Sequence, residues 1–199
     1  HVVIEKDRIV KVGIGKISLP PDAITIMGTG KFVMPGLTDA HIHFFQSGGL
    51  YTRPNALNLG HAYSYEKNQQ WIKDNLSDLM ARYLACGITT VIDVGGPFSN
   101  YAVREKLAGD SKSPTAFVTG PLISTYLPSN LHKKHPPIVK VSSAEEAREL
   151  VRKQLPYKPD FIKIWYIVQG RNIDSSARKS LPLVKAVIEE AHGRGLRVA

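Results

Sequence analysis

From Pro35-Gly36 onward, short β-branched runs alternate with stretches of helical periodicity, and this alternation narrows the fold more than any other feature of the chain. Thr38 to His43 reads as a strand. Lys67 to Ala85 has helical spacing, with Trp71, Leu76, Leu79, Met80 and Leu84 on broadly one side, and Gly87 is placed to end it. Ile88 to Val94 is a β-branched strand stopped by Gly95-Gly96-Pro97. A short helix over Asn100–Leu107 leads to a strand at Thr115–Thr119. Ser143-Ala144-Glu145-Glu146 is a capping box that opens a helix running to about Leu155. A strand over Asp160–Ile167 follows, then a helix over Leu181–His192 with Pro182 in its first turn. Leu196-Arg197-Val198-Ala199 begins one more strand. About four strand–helix units and the start of a fifth strand predict an α/β fold, a parallel sheet with right-handed crossovers. A doubly wound sheet and a (β/α)8 barrel both satisfy that pattern. No Gly-rich dinucleotide fingerprint follows the first strand, which weakens the doubly wound alternative. The segments after the strands are long and those before them are tight, as in a barrel enzyme whose site is built on the loops that follow its strands.

The first 34 residues have a different grammar. Val2–Ile4 and Arg8–Val12 flank a turn at Lys6-Asp7, and Ile24–Met27 and Phe32–Met34 read as two further short strands of a small β-rich unit. Two domains are expected, at 1–34 and 35–199.

Composition excludes several classes. At 199 residues, with 43% hydrophobic and 22% charged residues, the chain is of ordinary globular make-up. It has no apolar run approaching the roughly 18 residues of a membrane span. The +9 formal charge is read as a solvated basic surface. The densest basic stretch, His132-Lys133-Lys134-His135, lacks the interleaved aromatics of a single-strand nucleic-acid platform, so no nucleic-acid partner is expected. Cys86, the single cysteine, excludes an internal disulfide and a cysteine-based zinc cluster, and its apolar helical surroundings predict a buried, inert thiol. No signal peptide is visible, but the opening His1-Val2-Val3-Ile4 reads as mid-strand. That leaves the compartment open, with the cytoplasm slightly favoured and export allowed.

Two features carry chemistry. In His41-Ile42-His43, strand alternation puts both imidazoles on one side, with Asp39 on the same face, and such a pair can chelate one divalent ion. The alternative is two incidental histidines with ordinary polar partners. Lys163 sits in Phe161-Ile162-Lys163-Ile164-Trp165, a nearly continuous apolar strand. Desolvation disfavours a buried ammonium, and an amine held neutral can take up carbon dioxide as a carbamate, an anionic ligand with two oxygens. The alternative is a lysine whose head snorkels to solvent.

The stretch Gly30–His43 resembles the first-strand signature of the amidohydrolase superfamily, including the passage from a small β-sandwich into a barrel at Met34-Pro35-Gly36. Gly87–Gly96 is similar to that family's second barrel strand and Asp160–Ile164 to its fourth, with imidazolonepropionase and Xaa-Pro dipeptidases as the nearest branch. The resemblance implies an incomplete TIM-type (β/α)8 barrel preceded by part of a β-sandwich. It further implies metal ligation by His41 and His43, and a carboxylated Lys163 bridging two divalent ions, zinc by preference. The implied reaction is hydrolysis of a C–N bond in an amide, cyclic amide or dipeptide by a metal-bound hydroxide. The substrate would be a small molecule, and a homo-oligomer is allowed. The family's remaining ligands are histidines ending strands five and six, and its proton-shuttling aspartate ends strand eight; all are expected beyond Ala199, so this stretch alone is expected to be inactive. His192 does not stand in for them, because it belongs to the preceding helix. His61, His132 and His135 are loop histidines; His61 and His132 could contact substrate, and Tyr51, Arg53, Tyr126 and Trp165 could shape the pocket. The rival readings are a mononuclear deaminase of the same superfamily and a non-catalytic barrel that binds without turning over.

Overall fold

The computed structural model describes residues 1–46 and 64–199. The chain divides into two compact units, His1–Pro35 and Gly36–Ala199. In the first unit β1 (Val2–Glu5) and β2 (Arg8–Val12) form an antiparallel hairpin. Its turn places Lys6 at φ 56°, in the left-handed region. The strands expected at Ile24–Met27 and Phe32–Met34 do not form. Both segments find no ladder partner among the described residues, and Ile24 and Phe32 are 91% and 97% exposed. Strand propensity reflects packing on a pleated surface, so apolar runs without a neighbour have nothing to hold them extended.

The second unit holds the parallel strands. β3 (Leu37–Ile42), β4 (Ile88–Asp93) and β5 (Thr115–Val118) lie side by side in chain order. A second parallel group has β6 (Leu122–Ser124) between β7 (Ile138–Lys140) and β8 (Ile164–Trp165). The two groups are stitched by the Asp160 amide donating to the Val118 carbonyl at 3.0 Å, and Ile162 bridges onward in parallel to Val198. The strand expected over Asp160–Ile167 is thus shorter in the structure, and β6 and β7 are additions. Both additions are three residues long, too short for an alternation pattern to stand out.

Helices cover one face of these strands. The single helix expected from Lys67 to Ala85 is two, α1 (Tyr65–Asp74) and α2 (Leu76–Ala85), broken at Asn75. The Asn75 side chain donates to the Trp71 carbonyl at 2.9 Å, the local backbone competition that makes asparagine a helix-ender. Trp71, expected on one side with Leu76 and Met80, is 39% exposed, whereas those two are buried. Cys86 is also corrected: it caps the end of α2 and is exposed rather than buried. α3 is Asn100–Leu107 and α4 is Ala144–Gln154. The Ser143 hydroxyl accepts the Glu146 amide at 3.1 Å, while the Glu146 carboxylate accepts the amide of Ser142, one residue upstream of a reciprocal box.

α5 (Ile173–His192) starts well before the expected Leu181. Asn172 caps it by accepting the Ser175 amide at 3.0 Å, so Pro182 lies inside the helix rather than in its first turn. Proline favours the first helical turn, but the asparagine cap upstream begins the helix before it.

Two apolar clusters join these layers. Ile42, Phe44, Val91 and Val118 pack on Leu76 and Met80 of α2 and Tyr101 and Leu107 of α3. Ile123 and Ile162 pack on Ala147, Leu150 and Val151 of α4 and Ala186, Val187 and Ala191 of α5. Burying each large aliphatic side chain contributes about 1.5–3 kcal/mol. Because side chains alternate along a strand, Ala40, Ile92, Phe117 and Phe161 are left on the opposite face, where they line a cleft of about 600 Å³. Among the described residues no helix is long and apolar enough to cross a membrane.

Candidate metal site

The site grows from the carboxyl end of β3. His41 is the penultimate strand residue and His43 follows the last one. The ladder with β4 carries a register shift between Asp39 and Ile42: Asp39 sits opposite Val91, and Ile42 opposite Asp93. Val91 and Asp93 are two apart on β4 and share the helix-covered face, so Asp39 and Ile42 share it too. Strict alternation puts Asp39 with the histidines, and despite the register shift between them Asp39, His41 and His43 line one cavity. Asp39 accordingly raises the pKa of Tyr83 on α2, a phenol already pushed up chiefly by burial.

His41 and His43 do meet. Their ring centres are 5.4 Å apart and nearly perpendicular. Two imidazoles sharing one tetrahedral zinc place their ring centres about 5 Å apart. His41 is exposed and its amide donates to the Asp39 carboxylate at 3.2 Å. His43 is half-buried, and its Nδ1 lies 2.7 Å from the Gly95 carbonyl. A carbonyl can only accept, so Nδ1 carries the proton and Nε2 keeps its lone pair for a ligand. Burial pulls the His43 pKa below its ordinary value; the bond to Gly95 opposes this, and positive charge at His41 and Lys163 reinforces it. A neutral imidazole is the form a metal binds.

Lys163 departs from expectation in part. It is half-buried, not fully enclosed. Its neighbours Ile162 and Ile164 pack toward α4 and α5, so by alternation Lys163 faces away from the helices, on the side of the cleft. Its charge reaches His43, which ties the strand that carries Lys163 electrostatically to the end of β3. Its carbonyl accepts the Ile123 amide at 2.9 Å, which fixes that strand against β6.

Beside the histidine pair is a cavity of about 280 Å³. Its polar wall is Asp39, His41, His43, Gln46 and Tyr83, and its apolar wall comes from Ile72, Leu76, Leu79 and Met80 of the two helices. Among the described residues no three His, Cys, Asp or Glu side chains converge as a metal cluster. The donor set among these residues is therefore two imidazoles with a lysine in electrostatic reach, which fits a divalent ion as part of a larger ligand set.

The other named residues are placed as follows. His132 and His135 are exposed loop residues, and His192 is the last residue of α5. Tyr126 and Trp165 are half-buried with ring centres 6.1 Å apart, beside the ends of β6 and β8. His61, Tyr51 and Arg53 lie outside the described residues.

Sequence reasoning passed over Asp93. It is fully buried at the end of β4 and accepts from the Phe44 amide at 2.7 Å, the Gly95 amide at 2.8 Å and the Asn100 side chain at 2.9 Å. Burial pushes its carboxyl up to about 8, against the pull of all three donors. A lone carboxylate in the run Ile88–Val94 was a legible signal, because an acid is almost never enclosed unless it is bonded. Gly95 follows at φ +127°, and a Cβ there would lie 2.6 Å from the Leu122 side chain. Only glycine serves at that corner.

No protein-family model matches the chain, and no curated protein matches its sequence. Solved structures do match its fold. One, a protein described as uncharacterised, is 23% identical, with a TM-score of 0.70, over 99% of this chain and 49% of its own. A prolidase complexed with N-methylphosphonate-L-proline is 22% identical, with a TM-score of 0.67, over 99% of this chain and 50% of its own. An amidohydrolase is 23% identical, with a TM-score of 0.60, over 92% and 46%. The chain thus has the fold of solved amidohydrolases and prolidases, and it spans about half the length of the structures it matches.

Proposed function

We propose that this chain supplies the amino-terminal part of a metal-dependent hydrolase of the amidohydrolase superfamily, acting on a C–N bond in an amide, cyclic amide or dipeptide. The observation that carries the reading is the His41–His43 pair at the carboxyl end of the first parallel strand, with the Nδ1 proton of His43 engaged by Gly95. The parallel strands β3, β4 and β5, side by side in chain order, support an incomplete (β/α)8 barrel, whose sites lie at that end. The likeness to a prolidase holding a proline phosphonate makes Xaa-Pro dipeptides the first substrates to try.

In this reading His41 and His43 would hold a divalent ion, zinc by preference, and Lys163, as the carbamate its neutral amine forms with carbon dioxide on losing a proton, would be a further anionic ligand of the metal centre. Bound there, the metal would lower the pKa of a water from 15.7 toward about 7 and polarise the scissile carbonyl. The chain's own groups set the conditions. The Gly95 carbonyl fixes the tautomer of His43, burial keeps that ring neutral, and the apolar wall of α1 and α2 limits water beside the pair.

Metal content by plasma mass spectrometry tests this, on the full-length protein purified without chelators. About two divalent ions per chain are expected, falling on His43→Ala and on Lys163→Ala. No bound metal, or a content unchanged by His43→Ala, overturns the site.

A further inference from the structure

Asp93 touches both structures that set the His43 ring. Its Oδ2 accepts the amide of Phe44, the residue directly after His43, at 2.7 Å. Its Oδ1 accepts the amide of Gly95, whose carbonyl engages His43 Nδ1 at 2.7 Å. One fully buried carboxyl therefore ties down the backbone carrying the imidazole and the peptide that orients it. The carboxyl is itself held by Asn100 Nδ2 at 2.9 Å, in the first turn of α3, and Asn100 is 2% exposed. A Cβ at Gly96 would strike that Asn100 side chain, so the Gly95-Gly96 pair is shaped to let Asn100 reach Asp93. The fold alone does not require this. Val91, also fully buried on β4, packs the same layer with no polar group at all.

We propose that Asp93 is a positioning residue for His43: by bonding the amides of Phe44 and Gly95 together it holds the imidazole with its proton on Nδ1 and Nε2 aimed free for a ligand. The inference deepens the metal-site reading, and rests on it only where metal affinity is the readout. Asp93→Asn is the sharpest perturbation, because an amide places an NH₂ against at least one of the three donors and separates the two backbone segments without removing bulk. The tautomer of His43 can be read directly from long-range ¹H–¹⁵N NMR correlations in the metal-free full-length protein. The expected result is a Nδ1–H ring in the parent and a mixture of tautomers in Asp93→Asn. Zinc affinity, measured by chelator competition, is expected to fall about 10–100-fold, the usual effect of losing an outer-shell partner. Val187→Ala, in the other apolar cluster, destabilises the chain as a control and is expected to leave the tautomer unchanged. Should Asp93→Asn fail to fold, Asn100→Ala removes only the third donor and is expected to shift the tautomer balance in the same direction by less. A folded Asp93→Asn, or an Asn100→Ala, with the parent's His43 tautomer overturns the proposal. A tautomer that shifts while zinc affinity is indifferent to His43→Ala upholds Asp93 and overturns the metal site instead.

Discussion

Gln154 is a buried polar hub whose removal has a calculable cost. It ends α4, is fully enclosed, and bonds three groups: its Oε1 accepts the Tyr101 hydroxyl at 2.8 Å and the Gly120 amide at 3.1 Å, and its Nε2 donates to the Pro121 carbonyl at 3.2 Å. These contacts join α3 and α4 to the break between β5 and β6, and β6 in turn accepts the Lys163 strand as its neighbour. Gln154→Ala leaves a hydroxyl, an amide and a carbonyl in the interior without partners. At the lower half of the range of about 1–3 kcal/mol for each stranded group, the loss is about 3–6 kcal/mol. For a chain of this length that is a drop in melting temperature of about 6–24 °C. Tyr101→Phe removes one bond and strands nothing, because Oε1 keeps the Gly120 amide; about 1 kcal/mol is expected. The double variant should be milder than the sum of the singles by about 1 kcal/mol, since the shared bond is lost once. Circular dichroism melts and urea titrations of the four proteins measure all three quantities. A Gln154→Ala shift under about 2 °C, or strict additivity, would refute the claim that these bonds act as one buried network.

Two further outcomes are expected. Pro182→Ala should raise the melting temperature, because proline inside α5 removes a helical hydrogen bond and crowds the preceding turn, a cost of about 3 kcal/mol in a helix interior; an unchanged or lower value would mean that α5 is packed around the proline. The pH dependence should carry a His43 signature: its folded pKa lies below 6.5, so its contribution is fully present above pH 6.5 and is lost as pH falls through that value. Asp93 acts in the opposite sense, its raised folded value making stability fall as pH rises from about 4 toward 8. The readout is therefore the difference between the parent and His43→Gln, whose melting temperature should decline less between pH 7 and pH 5.

Much of the fold was legible in local pattern. The β-branched run at Ile88–Val94, the helix at Asn100–Leu107 and the Ser143 cap are written in short-range chemistry, and the structure reproduces them within a residue. The histidine pair was legible too, because two residues on one strand end need no distant information to be neighbours. What required the tertiary structure was everything set by a partner far along the chain. The register shift between Asp39 and Ile42 exists only against β4. The Nδ1 proton of His43 is placed by a carbonyl 52 residues away, and the Phe44 amide reaches Asp93 from 49 residues away. Ile24–Met27 and Phe32–Met34 have strand composition but, among the described residues, no strand to pair with. Propensity and periodicity act over a few residues, whereas register, burial and proton placement are settled by whichever groups the folded chain brings within hydrogen-bonding distance.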